Sequence, residues 1–384
     1  MSRTHPTHVL HLTTHLEIGG ITSYLGVLAP RLIASGHAVS VLSSGGVAEA
    51  ALSARGVRCV RDRRLRTKNE LHPLLLAAAW RAAHLAGELK VDVLHAHTRV
   101  AQMVAALAGR LAGIPVVTTA HGFFRRRLSR RLIDLWGERV IAISPMVARE
   151  LEAAHGVSSA RVRTVANAVE IDELAARTSA MDRPAERRRY GIPERAVVVG
   201  SVSRLVADKG HAYLLDAVAA LLPRHPDLYV VVFGEGRERE ALEKRCAAPD
   251  LRGRARIVAG AGEAPSFLST LDLFVHPATY REGFGLSIAE AMAVGRPVIA
   301  TDIWAVNTIL KDGVDALLAR PADAASLASK IGLLLEDTAL ARRLTEAGGR
   351  LVRRLCSPER MARETVAVYR EALDDAAVRG RVRR

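Results

Sequence analysis

Three kinds of feature are scarce in this sequence, and each shortage excludes a class of protein. The 384 residues include three cysteines, Cys59, Cys246 and Cys356, which are too few and too far apart for a disulfide scaffold or a C-x-x-C zinc site. No run of about 18 uncharged apolar residues is present, so no membrane-spanning helix is predicted. The N-terminus lacks an apolar core followed by small residues, so no signal peptide is expected. We therefore expect a cytoplasmic protein.

Aromatic residues are also scarce, at 4% of the chain, whereas basic residues are abundant and give a net charge of +15. A basic chain suggests an anionic partner. A nucleic-acid-binding module is one alternative, but no RNP-type strand, zinc finger or helix-turn-helix signature is recognisable. Residues 1–170 hold 22 basic and 11 acidic residues, against 33 and 29 in residues 171–384. The first half is thus the better candidate for an anionic partner, although a solvated arginine-rich surface would explain the same charge.

The carboxylate pair D-x-D, which commonly holds a metal-bound nucleoside diphosphate, does not occur in the sequence. His95 and His97 form H-x-H on a predicted strand, which places both imidazoles on one face. No third ligand is evident, and polar lining is the simpler role for the pair. We therefore expect no metal ion and no cofactor, so that any bound phosphates would be neutralised by protein cations and backbone amides.

Short, continuously apolar segments alternate with helical segments along the whole chain. Such segments are typical of parallel strands buried on both faces by helices. The length suits two domains. The predicted fold class is α/β, with two doubly wound Rossmann-like domains facing across a cleft. The predicted strands are HVLHLTTH, AVSVLSS, VDVLHAH, IPVVTTAH, RVIAIS and RVRTVANAV in the first half, and AVVVGSVSRL, DLYVVVFGEG, ARIVAG, LDLFVHPA, RPVIATD and DALLARP in the second.

The predicted domain boundaries follow a change in composition. Residues 1–171 form the N-terminal domain and residues 196–357 the C-terminal domain. Residues 172–195 are polar, contain two prolines and have no buried-strand pattern, so they are predicted to form a linker. The segment that begins Ser357-Pro358 is predicted to be an amphipathic helix.

Polar residues that could act chemically follow the predicted strands. His97, His121, Arg204 and Glu235 each stand at a strand end, and the carboxyl edge of such sheets is where ligands bind. Lys209 comes five residues after Arg204 and just before a helix pattern. An arginine fork, a lysine charge and the amides of a helix start are all suited to binding a diphosphate. An ordinary charged surface loop is the alternative.

Two glutamates, Glu282 and Glu290, flank a glycine-containing bend. Gly283 and Gly285 would let the backbone approach a ligand closely, and a carboxylate can accept hydrogen bonds from two neighbouring sugar hydroxyls. Ser287 and Glu290 also match the S-x-x-E capping box, so Glu290 has a purely structural alternative.

Two rival enzyme classes fit these motifs poorly. Dinucleotide binding needs G-x-G-x-x-G after a strand, and the segments starting at Gly234 and Gly260 both lack the last glycine. A hydrolase elbow needs G-x-S-x-G, but Gly285-Leu-Ser-Ile-Ala lacks the last glycine and does not directly follow a strand.

The segment EGFGLSIAE, with its E-x7-E spacing, is followed by AMAVGRPVIATD, and SRLVADKGH precedes VVFGEG. Together these motifs resemble the retaining GT-B glycosyltransferases of family 4, also called glycosyl transferases group 1. The resemblance spans nearly the whole chain. It implies transfer of a sugar from a nucleotide-sugar such as a UDP- or GDP-sugar, without a metal ion, and a last helix, residues 358–384, that returns to the N-terminal domain. His276 has no role in it.

The resemblance also implies roles for particular residues. Arg204 and Lys209 would bind the diphosphate, Glu282 the sugar hydroxyls and Glu290 the ribose, while His121 would stabilise positive charge at the anomeric carbon. The implied catalytic residues are His121, Glu282, Arg204 and Lys209. The implied donor-binding residues are Gly19, Gly20, Arg204, Lys209, Glu235, Glu282, Gly283, Phe284, Gly285, Leu286 and Glu290. The expected acceptor-side residues are His97, Phe123 and Arg125.

The acceptor is predicted to be a saccharide or a lipid-linked molecule used in cell-envelope, exopolysaccharide or glycolipid synthesis. Residues 121–140 mix arginines with Phe123, Phe124 and Trp136, a combination that suits an anionic membrane surface on the inner side of the cytoplasmic membrane. Inward packing of these aromatic rings is the alternative. Another GT-B activity, a nucleotide-sugar epimerase or a sugar phosphorylase, is the alternative enzyme.

Overall fold

In the computed structural model the chain divides into two compact units, Met1–Ala168 with Pro358–Arg384, and Val169–Ser357. The structure describes residues 7–17, 19–67, 69, 72–124, 134–259, 264–280, 282–283 and 285–380. Each unit contains one sheet in which every paired strand is parallel, with helices between most of the successive strands. The predicted α/β class with two doubly wound sheets is therefore confirmed. No helix among the described residues is long and apolar enough to cross a bilayer.

The first unit has a seven-stranded sheet in the order β3-β2-β1-β4-β5-β6-β7. The strand order reverses between β1 and β4, and such a reversal opens a crevice at the carboxyl edge. The strands are β1 (His8–Leu12), β2 (Ala38–Ser43), β3 (Arg58–Arg61), β4 (Val93–Ala96), β5 (Val116–Ala120), β6 (Arg139–Ala142) and β7 (Val162–Thr164). The helices are α1 (Gly20–Ala34), α2 (Glu49–Ala54), α3 (Leu74–Glu88), α4 (Arg99–Ala112) and α5 (Pro145–His155), with short 3-10 turns at Arg63–Arg66 and Ser159–Arg161.

The C-terminal helix (Pro358–Val378) belongs to the first unit, where the resemblance placed it. Its buried face, which includes Met361, Tyr369 and Ala372, packs into the same core as α1 and the central strands. The burial of these apolar side chains is what holds this helix on the unit.

The second unit has a six-stranded sheet in the order β10-β9-β8-β11-β12-β13. The strands are β8 (Val197–Val202), β9 (Leu228–Phe233), β10 (Ala255–Val258), β11 (Leu273–His276), β12 (Val298–Thr301) and β13 (Leu317–Ala319). The helices are α6 (Ile171–Ser179), α7 (Arg183–Arg189), α8 (His211–Leu221), α9 (Arg239–Cys246), α10 (Ala264–Thr270), α11 (Leu286–Ala293), α12 (Ala324–Glu336) and α13 (Thr338–Leu355), with a 3-10 turn at Ala207–Lys209.

The segment predicted as a linker, residues 172–195, is instead part of the second unit and contains most of α6 and all of α7. Arg187 shows why the sequence misled, because this charged residue is only 5% exposed. It donates to the carbonyl oxygen of Thr270 at 2.9 and 3.1 Å and to the Asp272 carboxylate at 2.9 Å. A buried arginine with carbonyl and carboxylate partners reads in sequence like a solvated charge.

Candidate functional site

The Arg204 loop lies at the carboxyl edge of the second sheet, between β8 and α8. Arg204 is exposed, and the 3-10 turn Ala207–Lys209 leads to Gly210, which caps α8 with φ 67°. A Cβ at Gly210 would lie 2.0 Å from the carbonyl oxygen of Pro277, so glycine is required both for the backbone angle and for this close approach. The amide of Thr279 donates to the carbonyl of Asp208 at 2.9 Å. The loops after β8 and β11 are therefore packed directly on each other.

The loop after β9 joins the same edge and brings Glu235 next to the Arg204 loop. The amide of Leu205 donates to the carbonyl of Glu235 at 2.8 Å. Gly234 packs so tightly that a Cβ would lie 1.9 Å from the carbonyl oxygen of Ser203. The side chain of Glu235 is exposed. Three predicted donor-binding segments are thus held together by backbone contacts.

Lys209 and Glu282 form an ion pair between these loops, and the two side chains are only 13% and 14% exposed. The Nε2 of His276 lies 3.3 Å from the same carboxylate oxygen. Burial alone would raise the pKa of Glu282, but His276 and Lys209 outweigh it and lower that pKa to about 2. Glu282 is therefore an anion at neutral pH, in a position to accept hydrogen bonds from hydroxyl groups.

His276 was missed as a site residue, although a signal was available. It ends β11 in the same way that other candidate side chains end their strands. A second histidine on this edge, His211, lies with its Nε2 2.8 Å from the hydroxyl of Ser203. Burial, aided by His276 and Lys209, lowers the pKa of His211 to about 4. Neither histidine fits the pattern expected of a phosphate-binding cation or a sugar-binding carboxylate, so the motifs did not identify them.

Glu290 lies on α11, one turn into the helix. The N-cap of α11 is Gly285, with φ 72° and ψ 50°, and the helix begins at Leu286. The capping-box interpretation of Ser287 and Glu290 is therefore wrong, because Ser287 is inside the helix and is not its N-cap. Burial raises the pKa of Glu290 to about 7. This carboxyl group is close to its protonation midpoint at neutral pH.

Gly283, Gly285 and Leu286 carry the bend between the two glutamates. Gly283 is partly exposed and leads towards the N-terminus of α11, where the first amides of the helix have no intrahelical acceptor. Such amides are suited to binding phosphate or hydroxyl oxygens. Phe284, which was also predicted here, lies outside the described residues.

In the first unit, the buried imidazoles of His11 and His97 and the partly exposed one of His121 form a hydrogen-bonded row at the carboxyl edge. Nε2 of His121 lies 3.0 Å from Nδ1 of His97, and Nε2 of His97 lies 2.8 Å from Nδ1 of His11. The ring of Tyr24 meets that of His121 edge-on, with centroids 4.7 Å apart. Burial lowers the pKa of His11 and of His121 to about 3, and that of His97 well below its ordinary value. The row is neutral at physiological pH.

His11 supplies the third histidine that the sequence did not identify, because it is brought beside His95 only by the pairing of β1 with β4. One nitrogen each from His11, His95 and His97 lies within 4.8 Å of the others, a spacing that a metal ion could use. In the structure both nitrogens of His95 lie 2.7 Å from hydroxyls, those of Tyr369 and Thr119, whereas Nε2 of His11 has no hydrogen-bond partner among the described residues. The histidines therefore form a polar network with one another and with their hydroxyl neighbours.

Gly19 and Gly20 form the start of α1 at this edge. Gly19 is the N-cap in an extended conformation, and a Cβ on either glycine would meet nothing within 4 Å. The glycines are thus not required by packing among the described residues. Open backbone at the start of a 15-residue helix is suited to a ligand that approaches closely.

The segment 121–140 is only partly described. Phe123 is partly exposed, while the ring of Phe124 packs against the ring of Trp136, with centroids 5.5 Å apart, and Trp136 is only 2% exposed. For these two rings the inward-packing alternative is correct, so Trp136 is not available to a membrane. Residues 125–133, including the predicted acceptor-side Arg125, lie outside the described residues.

Sequence comparison matches both units to known families. Residues 182–350 match the family described as "Glycosyl transferases group 1", and residues 18–173 match "Glycosyltransferase Family 4". An alpha-D-kanosaminyltransferase of Streptomyces kanamyceticus is 30% identical over 69% of this chain and 72% of its own length. A phosphatidyl-myo-inositol mannosyltransferase of Mycobacterium leprae is 30% identical over 68% of this chain and 69% of its own.

Solved structures agree on the fold. A glycosyltransferase from Rickettsia africae superimposes with a TM-score of 0.85 at 21% identity, covering 96% of this chain and 99% of that one. At this identity the likeness concerns the fold and not the substrate. It extends over both units of the chain.

Proposed function

Because this chain belongs to family 4 of the GT-B glycosyltransferases, the glycosyl transferases group 1, we propose that it is a metal-independent retaining enzyme that uses a UDP- or GDP-sugar. The acceptor is a saccharide or a lipid-linked molecule of envelope, exopolysaccharide or glycolipid synthesis. The observation that carries the proposal is the buried ion pair of Lys209 and Glu282 beside the Arg204 loop. It joins the cation suited to a diphosphate with the carboxylate suited to a sugar.

The proposed role of these residues is to stabilise the charges that develop during sugar transfer. In the proposed reaction the anomeric C–O bond of the donor breaks, and the acceptor hydroxyl attacks from the same face and passes its proton to the leaving diphosphate oxygen. Negative charge then develops on the leaving diphosphate, where Arg204, Lys209 and the first amides of α11 stabilise it. Glu282 holds the hydroxyls of the sugar, and Glu290 those of the ribose. His121, neutral because of its burial, presents a dipole and not a second positive charge to the anomeric carbon.

The first test is nucleotide binding. UDP, GDP and ADP, each with and without EDTA, are compared by thermal shift. At a hundredfold excess over Kd one of them should stabilise the chain by about 2.7 kcal/mol, and EDTA should leave that shift unchanged. A shift that appears only when manganese is added would contradict the metal-independent part of the proposal.

The second test uses matched pairs of variants in the second unit. Arg204→Ala and Lys209→Ala should each lower kcat/KM by about 10²–10³-fold, as removal of one preorganised donor does elsewhere. Arg224→Ala and Lys330→Ala are the controls, because each removes a basic side chain of the same unit that pairs with an acidic residue away from these loops, Glu336 and Asp312 respectively. Near-normal turnover in both site variants would show that the phosphate assignment is wrong.

The third test is product analysis with inositol phosphate and phosphatidylinositol as trial acceptors, since the Mycobacterium leprae relative is named for the latter class of substrate. A new α-glycoside from an α-linked donor is expected. Nucleotide release without a glycoside product would point instead to one of the alternative GT-B activities.

A further inference from the structure

Trp304 stands on the loop that follows β12, and its side chain is 53% exposed. β12 pairs in parallel with β11, with Ala300 opposite His276, so the loops after the two strands leave the sheet at the same carboxyl edge. The loop after β11 carries Glu282 and also Tyr280, which is 60% exposed. In a chain with few aromatic residues, two exposed aromatic side chains therefore lie at the edge that holds the candidate site.

The exposed indole has a rigid support. Single exposed hydrophobic side chains are common in proteins, so exposure alone assigns no role to Trp304. Ile303 and Val306, on either side of it in the chain, are 6% and 3% exposed and belong to the same apolar cluster as Ile288 of α11. The amide of Val306 donates to the carbonyl of Ile303 at 2.9 Å, which closes a turn around Trp304. The indole is therefore presented to solvent by a fixed backbone.

The same loop is anchored beside the bend between the two glutamates. Val306 and Gly285 line one small apolar cavity, to which α11 also contributes. The hydroxyl of Thr301, the last residue of β12, donates to the carbonyl oxygen of Ala278, four residues before Glu282. Trp304 thus follows a strand end that is bonded directly to the segment leading to the sugar-binding carboxylate of the proposed function.

Two polar side chains accompany Trp304 on this loop. Asp302 and Asn307 are both exposed, and Nδ2 of Asn307 donates to Oδ1 of Asp302 at 2.8 Å. This bond orients both groups and uses one oxygen of the carboxylate and one hydrogen of the amide. The carboxylate has a second oxygen, and the amide has its own oxygen and another hydrogen, with which to meet a ligand.

We propose that the Trp304 loop, residues 302–308, is a subsite for a pyranose ring. The indole would lie against the apolar C–H face of the sugar, and Asp302 and Asn307 would bond its hydroxyls. An aromatic surface with a few fixed polar groups suits a ligand that is apolar on its face and polar at its rim. A phosphate would be repelled by Asp302, and a purely apolar ligand would bury Asp302 and Asn307 without partners. The inference rests on the proposed function and adds a group that recognises the sugar and not the nucleotide.

Two molecules of the proposed reaction carry such a ring, the nucleotide-sugar donor and a saccharide acceptor. The position of the loop beside the segment of Glu282 favours the donor. Calorimetric titration of the full chain with UDP, UDP-glucose, GDP and GDP-mannose tests this choice. Trp304→Ala should weaken binding of the sugar nucleotide about tenfold and leave binding of its parent diphosphate unchanged. Asn307→Ala should weaken the sugar nucleotide about fivefold.

The control is Trp80→Ala, which removes the similarly exposed tryptophan of the first unit, at 66% exposure, and should leave all four affinities unchanged. Trp304→Phe keeps an aromatic face and should retain most of the affinity for the sugar nucleotide. Because the ring of Trp304 is exposed, Trp304→Ala should melt at the temperature of the unaltered chain when no ligand is present.

The acceptor is tested by titrating methyl α-D-glucopyranoside and methyl α-D-mannopyranoside in the presence of saturating diphosphate. Fluorescence follows these titrations in the Trp80→Phe background, where Trp304 is the remaining exposed tryptophan and Trp136 is buried. Glycoside binding that Trp304→Ala abolishes, together with an unchanged affinity for the sugar nucleotide, would assign the subsite to the acceptor.

Three results would overturn the proposal: an equal loss of affinity for sugar nucleotide and diphosphate in Trp304→Ala, equal effects of Trp304→Ala and Trp80→Ala, or no effect of Trp304→Ala on any of these ligands. If the unaltered chain binds none of the four nucleotides, the proposed function fails, while glycoside binding that depends on Trp304 would still support the subsite. A chain that binds the nucleotides with no contribution from Trp304 would refute the subsite alone.

Discussion

Nδ1 of His97 lies 3.0 Å from Nε2 of His121, so the imidazole proposed to face the anomeric carbon is held by the buried imidazole of His97. Behind them, Nε2 of His11 has no hydrogen-bond partner among the described residues. A buried nitrogen without a partner costs less as an acceptor than as an N–H donor. The row should therefore donate from His11 to His97 and from His97 to His121, with the proton of each ring on Nδ1.

This tautomer assignment is the first prediction. Nitrogen-15 NMR of the imidazoles should show His11, His97 and His121 as neutral Nδ1–H tautomers. His97→Leu should leave Nε2 of His121 unpartnered and lower kcat by about tenfold to a hundredfold, the equivalent of roughly 1–3 kcal/mol, with little change in nucleotide affinity. A proton found on Nε2 of His121 in the unaltered chain would reverse the predicted direction of the row.

Acid lability is the second prediction. The folded-state pKa of His11 and of His121 is about 3, against 6.5 for an ordinary histidine, so the unfolded chain binds protons between these values and the folded chain does not. Stability is therefore fully present above pH 6.5 and is lost as the pH falls. At pH 5 each of these two histidines should lower the free energy of unfolding by about 2 kcal/mol relative to its value above pH 6.5.

Urea unfolding between pH 7.5 and pH 5 measures this slope. His11→Gln should make the slope shallower. The matched variant His84→Gln alters a side chain that is 63% exposed and should leave the slope as it is. A stability that does not change over this range would mean that the row takes up protons while folded.

The third prediction concerns Glu290, whose pKa is raised by burial to about 7. The sign is opposite to that of the histidines. The folded chain retains a proton between pH 4.5 and 7 that the unfolded chain releases, so stability falls as the pH rises through this window. At pH 8 the free energy of unfolding of Glu290→Gln should therefore exceed that of the unaltered chain by up to about 3 kcal/mol. At pH 4.5 the two proteins should be equally stable.

Calorimetric titration of the same variant tests the ribose role. Glu290→Gln should bind the nucleotide more weakly even though it is more stable. If both the melting point at pH 8 and the nucleotide affinity match those of the unaltered chain, neither the raised pKa nor the ribose role of Glu290 can be correct.

The fourth prediction is a double-mutant cycle on Lys209 and Glu282. Lys209→Met leaves a mostly buried carboxylate without its ammonium partner and should destabilise the chain by about 3 kcal/mol. Adding Glu282→Gln should recover most of that loss, which gives a large coupling energy. The pKa of Glu282 should rise in the single variant, because only His276 then remains to lower it. Additive effects of the two substitutions would show that the pair is not formed in solution.

The sequence predicted the two sheets well, because buried parallel strands are continuously apolar. All twelve predicted strands are present in the structure. The strand that was missed, β3, has four residues, begins and ends with arginine and lies at the edge of the first sheet with no fully buried side chain. An edge strand of this kind has the composition of a loop, so periodicity does not identify it.

The sequence predicted a residue of the candidate site only where that residue directly follows a predicted strand. Arg204, Glu235, His97 and His121 follow this rule. The contacts between residues were not predictable, because the approach of His276 to Glu282 and of His11 to His97 depends on which strands are neighbours. The capping role of Glu290 failed for a local reason: the helix begins after Gly285, whose positive φ ends the bend.

The chain enters the first unit twice, and this has a consequence for its synthesis. Tyr369, whose hydroxyl bonds His95, is translated only after the whole of the second unit. Domains usually fold in the order of their emergence from the ribosome. The first unit therefore cannot cover its core until the C-terminal helix has left the ribosome. The second unit can complete its folding before that point.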